Sequence, residues 1–267
     1  DNTTGNYCVA VGHSALKNNT TGAGNIGIGQ YTLYDNETGA SNVAIGHYAL
    51  ENSTVSNNVA IGYYALKAST TGQWNIAVGP YALDANTTGQ TNCALGYQTL
   101  TANTTGNDNV AIGHEAMETN TTGARNVAIG RDALEQNNAN ENVAIGYLAM
   151  EDNTTGTRNT AVGTYALFNN TTNNDNTAVG YYALATSTTG YENTAMGRNA
   201  LAGCTTGCCN TAVGVQALNT STTAGTCTMV GMYAGQAITT GNANTGVGYM
   251  ALYSNQTGTD NVAMGKQ

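Results

Sequence analysis

The chain has 267 residues, with 34 Gly, one Pro, one Phe and one Trp, and only 9% charged and 7% aromatic side chains. Seven Lys and Arg against sixteen Asp and Glu leave a net charge of −9. The basic residues lie apart, so no basic stripe can neutralise phosphates, which argues against nucleic acid and anionic membrane as partners; no apolar run is long enough for a transmembrane helix.

Low charge and abundant Gly alone would suit a disordered chain, but strict periodicity predicts a repeat architecture. An N-x-A-x-G element ends at Gly12, Gly29, Gly46, Gly62, Gly79, Gly96, Gly113, Gly130, Gly146, Gly163, Gly180, Gly197, Gly214, Gly231, Gly248 and Gly265. The spacing is 17 residues except for two steps of 16, from Gly46 to Gly62 and from Gly130 to Gly146. We number each unit from its Asn (Asn25, Asn42, Asn58, Asn75 and so on), which makes the Gly position 5. Position 2 is Val, Ile, Thr or Cys; position 3 is Ala or Gly, with Met229 the exception; position 4 is aliphatic or Met. This stretch predicts a short strand. Positions 7 to 10, with Leu or Met at position 9, predict a second. Positions 12 to 15 read N-T-T-G or a close variant and predict an outward turn.

Seventeen residues with two strand signals fit one coil of a parallel β-solenoid or β-roll, so the expected fold is all-β, a single repeat domain over residues 1–267. Coils stack about 4.8 Å apart, and recurrent residues form ladders; an Asn ladder at position 1 can cap the strands or pass amide hydrogen bonds along the axis. The two short coils, with turns "ENSTVSNN" and "EQNNANEN", keep N-V-A-I-G, so the missing residue falls in the turn. Position 4 is expected in the core with the position-9 Leu, and the small position-3 residue at a close contact between chains. The chain begins in a turn without an initiating Met and has no visible capping segment, which points to a longer parent chain or end-to-end contact.

Few residues suggest chemistry. His13, His47 and His114 all occupy position 6, two and four coils apart, too far to share a metal, and read as surface residues. No nucleophile–base–acid set, paired carboxylates or Ca²⁺ loop is present, so no enzyme activity, cofactor or metal site is expected. Tyrosines concentrate at positions 6 and 7, among them Tyr48, Tyr63, Tyr64, Tyr81, Tyr165, Tyr181 and Tyr182. They read as a track for sugar rings or as packing along the stack. Cys8 and Cys93 stand alone in strands and read as small hydrophobes. Cys204, Cys208, Cys209 and Cys227 cluster, and disulfide bonding, free thiols and a metal site all remain open for them. N-x-S/T sequons at Asn2, Asn19, Asn36, Asn86, Asn103, Asn120, Asn153, Asn170 and Asn255 are expected in outward loops where glycans would fit.

"NVAIG" followed by a small residue resembles the head repeat of the YadA-like trimeric autotransporter adhesins. The longer "NTTGxxNVAIGxxAL", as at 120–134 and 153–167, resembles repeat arrays of phage tail fibres. The resemblance covers all sixteen units, although the unit is longer than the adhesin head repeat, and no stalk heptads, membrane-anchor strands or chaperone domain are seen. It implies a homotrimeric shaft or adhesin on a virion or cell surface; the expectation of a cell-surface glycan receptor comes from the tyrosine track, not from the resemblance. The rivals are a self-assembling extracellular filament subunit and an ice-binding solenoid.

Overall fold

The computed structural model describes residues 2–266. It resolves into two units, 1–132 and 133–267. The first carries β1 (Val9–Val11), β2 (Ile26–Ile28), β3 (Val43–Ile45), β4 (Val59–Ile61), β5 (Ile76–Val78), β6 (Cys93–Leu95), β7 (Val110–Ile112) and β8 (Val127–Ile129). The second carries β9 (Val143–Ile145), β10 (Thr160–Val162), β11 (Thr177–Val179), β12 (Thr194–Met196), β13 (Thr211–Val213), β14 (Thr228–Val230), β15 (Thr245–Val247) and β16 (Val262–Met264). Within each unit consecutive strands pair in parallel and in repeat register, for example Val59↔Ile76 and Thr160↔Thr177. Each unit is thus a parallel β-solenoid, and no helix occurs among the described residues. The short coil after Gly46 keeps its register, Val43↔Val59, so its missing residue lies in the turn.

Only positions 2 to 4 are strand. The expected second strand at positions 7 to 10 does not form, because positions 7 and 9 are left-handed: Tyr64 has φ 59° and Leu66 φ 52°. Non-Gly residues pay about 1–2 kcal/mol for that conformation, and Tyr and Leu carry no sequence signal for it. Two effects offset the cost. Leu66 is fully buried, which contributes about 1.5–3 kcal/mol. The amides of Tyr64 and Leu66 donate to the coils on either side, to His47 O (3.0 Å) and Ala82 O (2.9 Å). Stacking bonds extend around the coil: Val59 N to Asn75 O, Gly62 N to Ile45 O, Ala68 N to Asp84 O and Thr70 N to Thr87 O, at 2.8–3.1 Å. A lone coil would leave these groups unpaired, so folding and stacking are one event.

The strand faces are the reverse of the expectation. Position-3 Ala, such as Ala60, Ala77 and Ala94, is fully buried with the Ala of position 8 and the Leu or Met of position 9. Positions 2 and 4 point outward. The crowding that keeps position 3 small comes from its own solenoid: a Cβ on Gly27 would lie 3.0 Å from Thr32 Oγ1 and 3.4 Å from Leu16 Cγ. A coil with one three-residue strand encloses too little volume for both a position-9 Leu and a position-4 Ile.

Asparagine builds the rest of the interior. At position 1, Asn92 Oδ1 accepts from Asn109 N (3.0 Å) and Asn109 Nδ2 (3.1 Å), while Asn92 Nδ2 donates to Gly106 O at 2.8 Å. At position 12, Asn103 Nδ2 donates to Asn86 Oδ1 (2.8 Å) and to Gly106 O (3.1 Å). One glycine carbonyl therefore receives an amide from each of two ladders. The position-5 glycines are obligatory: Gly146 has φ +141°, and a Cβ there would sit 2.6 Å from the backbone of Gly163.

Candidate functional site

Four features face outward or carry reactive groups. The first is the strand face. Positions 2 and 4 present Val, Ile, Leu and Met without a charged residue among β1–β16. Ile76 and Leu95 are 45% exposed and Met196 44%. From β10 to β15 position 2 becomes Thr, giving a file of Thr160, Thr177, Thr194, Thr211, Thr228 and Thr245.

The second is the tyrosine row. In the first unit Tyr31 and Tyr48 stack at 5.2 Å and 4°, Tyr48 meets Tyr64 at 5.1 Å, and Tyr64 stacks on Tyr81 at 5.8 Å. Tyr63 lies edge-on to Tyr81 at 5.3 Å. Lys67 Nζ sits 4.4 Å from the Tyr64 ring centre. In the second unit Tyr165, Tyr181 and Tyr182 form a similar group, with Tyr165–Tyr182 at 4.6 Å. The position-7 rings are half-buried and spend their faces on one another; the position-6 rings Tyr63 and Tyr181 are the open ones.

The third is the thiol set. All six cysteines, Cys204, Cys208, Cys209 and Cys227 among them, are unbridged in the structure. Cys8 and Cys227 stand at position 1 and donate Sγ–H to Gly22 O (3.2 Å) and Gly241 O (3.3 Å). Those carbonyls are the ones an Asn would reach. Cys204 stands at position 12 and donates to Gly207 O at 3.4 Å. Burial pushes the Cys204 thiol up to about 11. Cys208 and Cys209 lie at the surface, with Cys209 Sγ 3.5 Å from Glu192 Oε2.

The sequons do not lie where glycans would fit. Asn19, Asn36, Asn86, Asn103, Asn120, Asn153 and Asn170 are at most 1% exposed and turn inward as the position-12 ladder. The threonines that follow stay on the rim, and at position 13 their hydroxyls donate to the next coil, as Thr104 Oγ1 does to Thr121 O at 3.0 Å. Of the sequons named, only Asn2 is exposed and Asn255 half-buried.

The fourth feature was missed in the sequence. His114, Glu115 and Asp132 converge, with His114 Nδ1 3.2 Å from Glu115 Oε2 and 3.8 Å from Asp132 Oδ1. His114 and Glu115 are positions 6 and 7 of one coil and Asp132 is position 7 of the next, so the signal is a separation of 17 or 18 residues rather than a local motif. His13 and His47 meet rings instead: His13 lies edge-on to Tyr31 and His47 packs on Tyr48. Comparison with family models, with curated proteins and with solved structures finds no match for this chain.

Proposed function

We propose that the chain is a structural segment of a fibre, of the phage tail-fibre or microbial surface-adhesin kind, working outside the cell as shaft and attachment surface. The supporting observation is the pairing of stacked coils with an uncharged apolar strand face on their outside. Exposed apolar strips of this kind mark interaction sites, and a periodic face matches a second copy of itself in steps of one coil. The occupant we infer is therefore the same chain, as a homotrimer, with the tyrosine row left for a receptor glycan. Sedimentation at micromolar concentration tests this: the native chain should run as a trimer or larger, and Ile61→Lys with Ile112→Lys should give a folded monomer. A folded native monomer would overturn the homotrimer. Electron micrographs separate side-by-side trimers from the rival, an end-to-end filament.

The file of outward Thr from β10 to β15 favours ice binding as a second reading. Thermal hysteresis in a freezing-point assay tests it, and its absence would remove it.

A further inference from the structure

We propose that His114, Glu115 and Asp132 form a binding site for a divalent transition-metal ion, with Zn²⁺ the best-suited ion. All three ligands belong to the first unit. One ligand atom from each residue, an imidazole nitrogen of His114 and a carboxylate oxygen of Glu115 and of Asp132, lies within 4.8 Å of the other two. An ion with metal–ligand bonds of about 2.0–2.2 Å can reach three atoms spaced in this way after small side-chain rotations.

Three independent features point to a cation. The solenoid stacks Glu115 directly below Asp132 at position 7 of adjacent coils, a like-charge ladder pair that is unfavourable unless something positive lies between. Asp132 is also desolvated: its side chain is 10% exposed, and its Oδ1 is buried without a hydrogen-bond donor. A buried carboxylate oxygen with no donor is costly. Its other oxygen, Oδ2, is held by Arg131 Nε at 3.1 Å, which orients the carboxylate and leaves Oδ1 turned to His114. Finally, the imidazole is held in place: His114 packs on the Tyr97 ring at 5.2 Å and 30°, with its side chain 45% exposed, so solvent can complete a coordination shell. An imidazole with carboxylates suits Zn²⁺ and its neighbours better than Ca²⁺ or Mg²⁺, which prefer all-oxygen shells.

The rival account is electrostatic: a protonated His114 bridging Glu115 and Asp132 with no metal. The test is calorimetric titration of the folded protein with ZnCl2 at pH 7.5, in a Cys208→Ser/Cys209→Ser background so that surface thiols do not compete. The expected result is one ion per chain and a raised melting temperature. His114→Ala and Asp132→Asn should each weaken binding by roughly tenfold or more, while a His13→Ala/His47→Ala variant keeps it. Nitrogen NMR of His114 provides a readout that folding defects do not mimic: Zn²⁺ should shift Nδ1 and leave Nε2 protonated. Absence of heat and of shift up to millimolar Zn²⁺ in a protein that is folded by circular dichroism overturns the proposal. So does binding that survives His114→Ala, and so does a His114 ring doubly protonated at pH 7.5 and indifferent to metal.

Discussion

Met229 occupies the space that Gly235 leaves empty. A Cβ on Gly235 would lie 2.8 Å from both Cγ and Sδ of Met229, and one on Gly246 would lie 2.6 Å from the same sulfur. In this coil position 3 has exchanged Ala for Met, position 9 Leu for Gly, and the next coil's position 3 Ala for Gly. Gly235 keeps φ +61°, the conformation leucines hold in the other coils. Met229→Ala should therefore cost about 2–5 kcal/mol for the cavity, and Gly235→Leu about 1–3 kcal/mol for overpacking. The double variant rebuilds the common core and should be more stable than either single one. Chemical denaturation of the four proteins gives the coupling; additive effects would show that the two residues do not share one space.

The position-12 ladder predicts a stabilising change. Asn36 Oδ1 is buried without a donor because the next coil offers Ser53, whose own hydroxyl is also unpartnered. In the other short coil Asn137 accepts from Asn153 at 2.6 Å but gives its own amide to Ala139 O at 3.1 Å. Ser53→Asn should gain roughly 1 kcal/mol when its amide turns to Asn36 Oδ1, and nothing when it closes on its own turn as Asn137 does. Asn103→Ala should lose more than that, since it takes one of two donors from Gly106 O, the donor from Asn86 Oδ1 and an acceptor from Asn120 Nδ2. An Asn103→Ala protein that melts no lower than the native one would count against the ladder.

Gly146→Ala places a Cβ 2.6 Å from the Gly163 backbone at φ +141°, and should cost on the order of 1–3 kcal/mol or more. Ile145→Ala, at the exposed position next to it, meets no such clash. Melting curves of the two variants should separate clearly, with the glycine variant the less stable.

The thiols differ in reach. At pH 8, iodoacetamide should label Cys208 first and Cys209 more slowly, because burial and then the neighbouring Cys208 and Glu192 push the Cys209 thiol up to about 11, and should spare Cys204 and Cys227 until the protein is unfolded. The Cys204 thiol rises from the ordinary 9.0 to about 11 in the fold. Its neutral form is thus favoured when folded, so its contribution is whole below pH 9 and disappears as pH rises from 9 to 11. Cys204→Ser should flatten the alkaline fall in melting temperature. Mass mapping that recovers a Cys204 cross-link from native protein would contradict this.

Length should count in whole coils. Deleting Asn75–Asp108 joins Trp74 to Asn109 and rejoins both Asn ladders in register. The first unit should remain folded and shorten by about 10 Å, two coil spacings. Deleting Asn75–Leu83 removes a strand and the Leu83 core residue while leaving a turn, and should do more damage. Circular dichroism and small-angle scattering of the two variants decide it.

The period, the strand at positions 2 to 4, the turn-borne short coils and the position-9 core were all legible in the residues. The faces were not. A small position 3 fits a tight core and a tight interface equally well, and only the narrow coil interior decides between them. The left-handed Tyr and Leu were hidden because neighbouring coils, rather than intrinsic preference, hold them there. The inward turn of Asn103 and its ladder mates was masked by N-T-T-G, which reads as solvent chemistry. Met229 stood out as an exception, yet its partner lies six residues on, across the core. His114 and Asp132 are eighteen apart and meet only once the coil is closed.

The exchange around Met229 also gives one coil an identity. A chain of near-identical coils faces an addressing problem: a coil that docks one place out of turn still finds Asn over Asn and Ala over Ala, and looping out 17 residues costs only a few kcal/mol of closure entropy. The Met229–Gly235–Gly246 set is different, because a coil docked wrongly there would press Met229 against an Ala and leave a glycine hollow unfilled. A local misfit of this kind marks one rung of the ladder so that folding can tell it from the others.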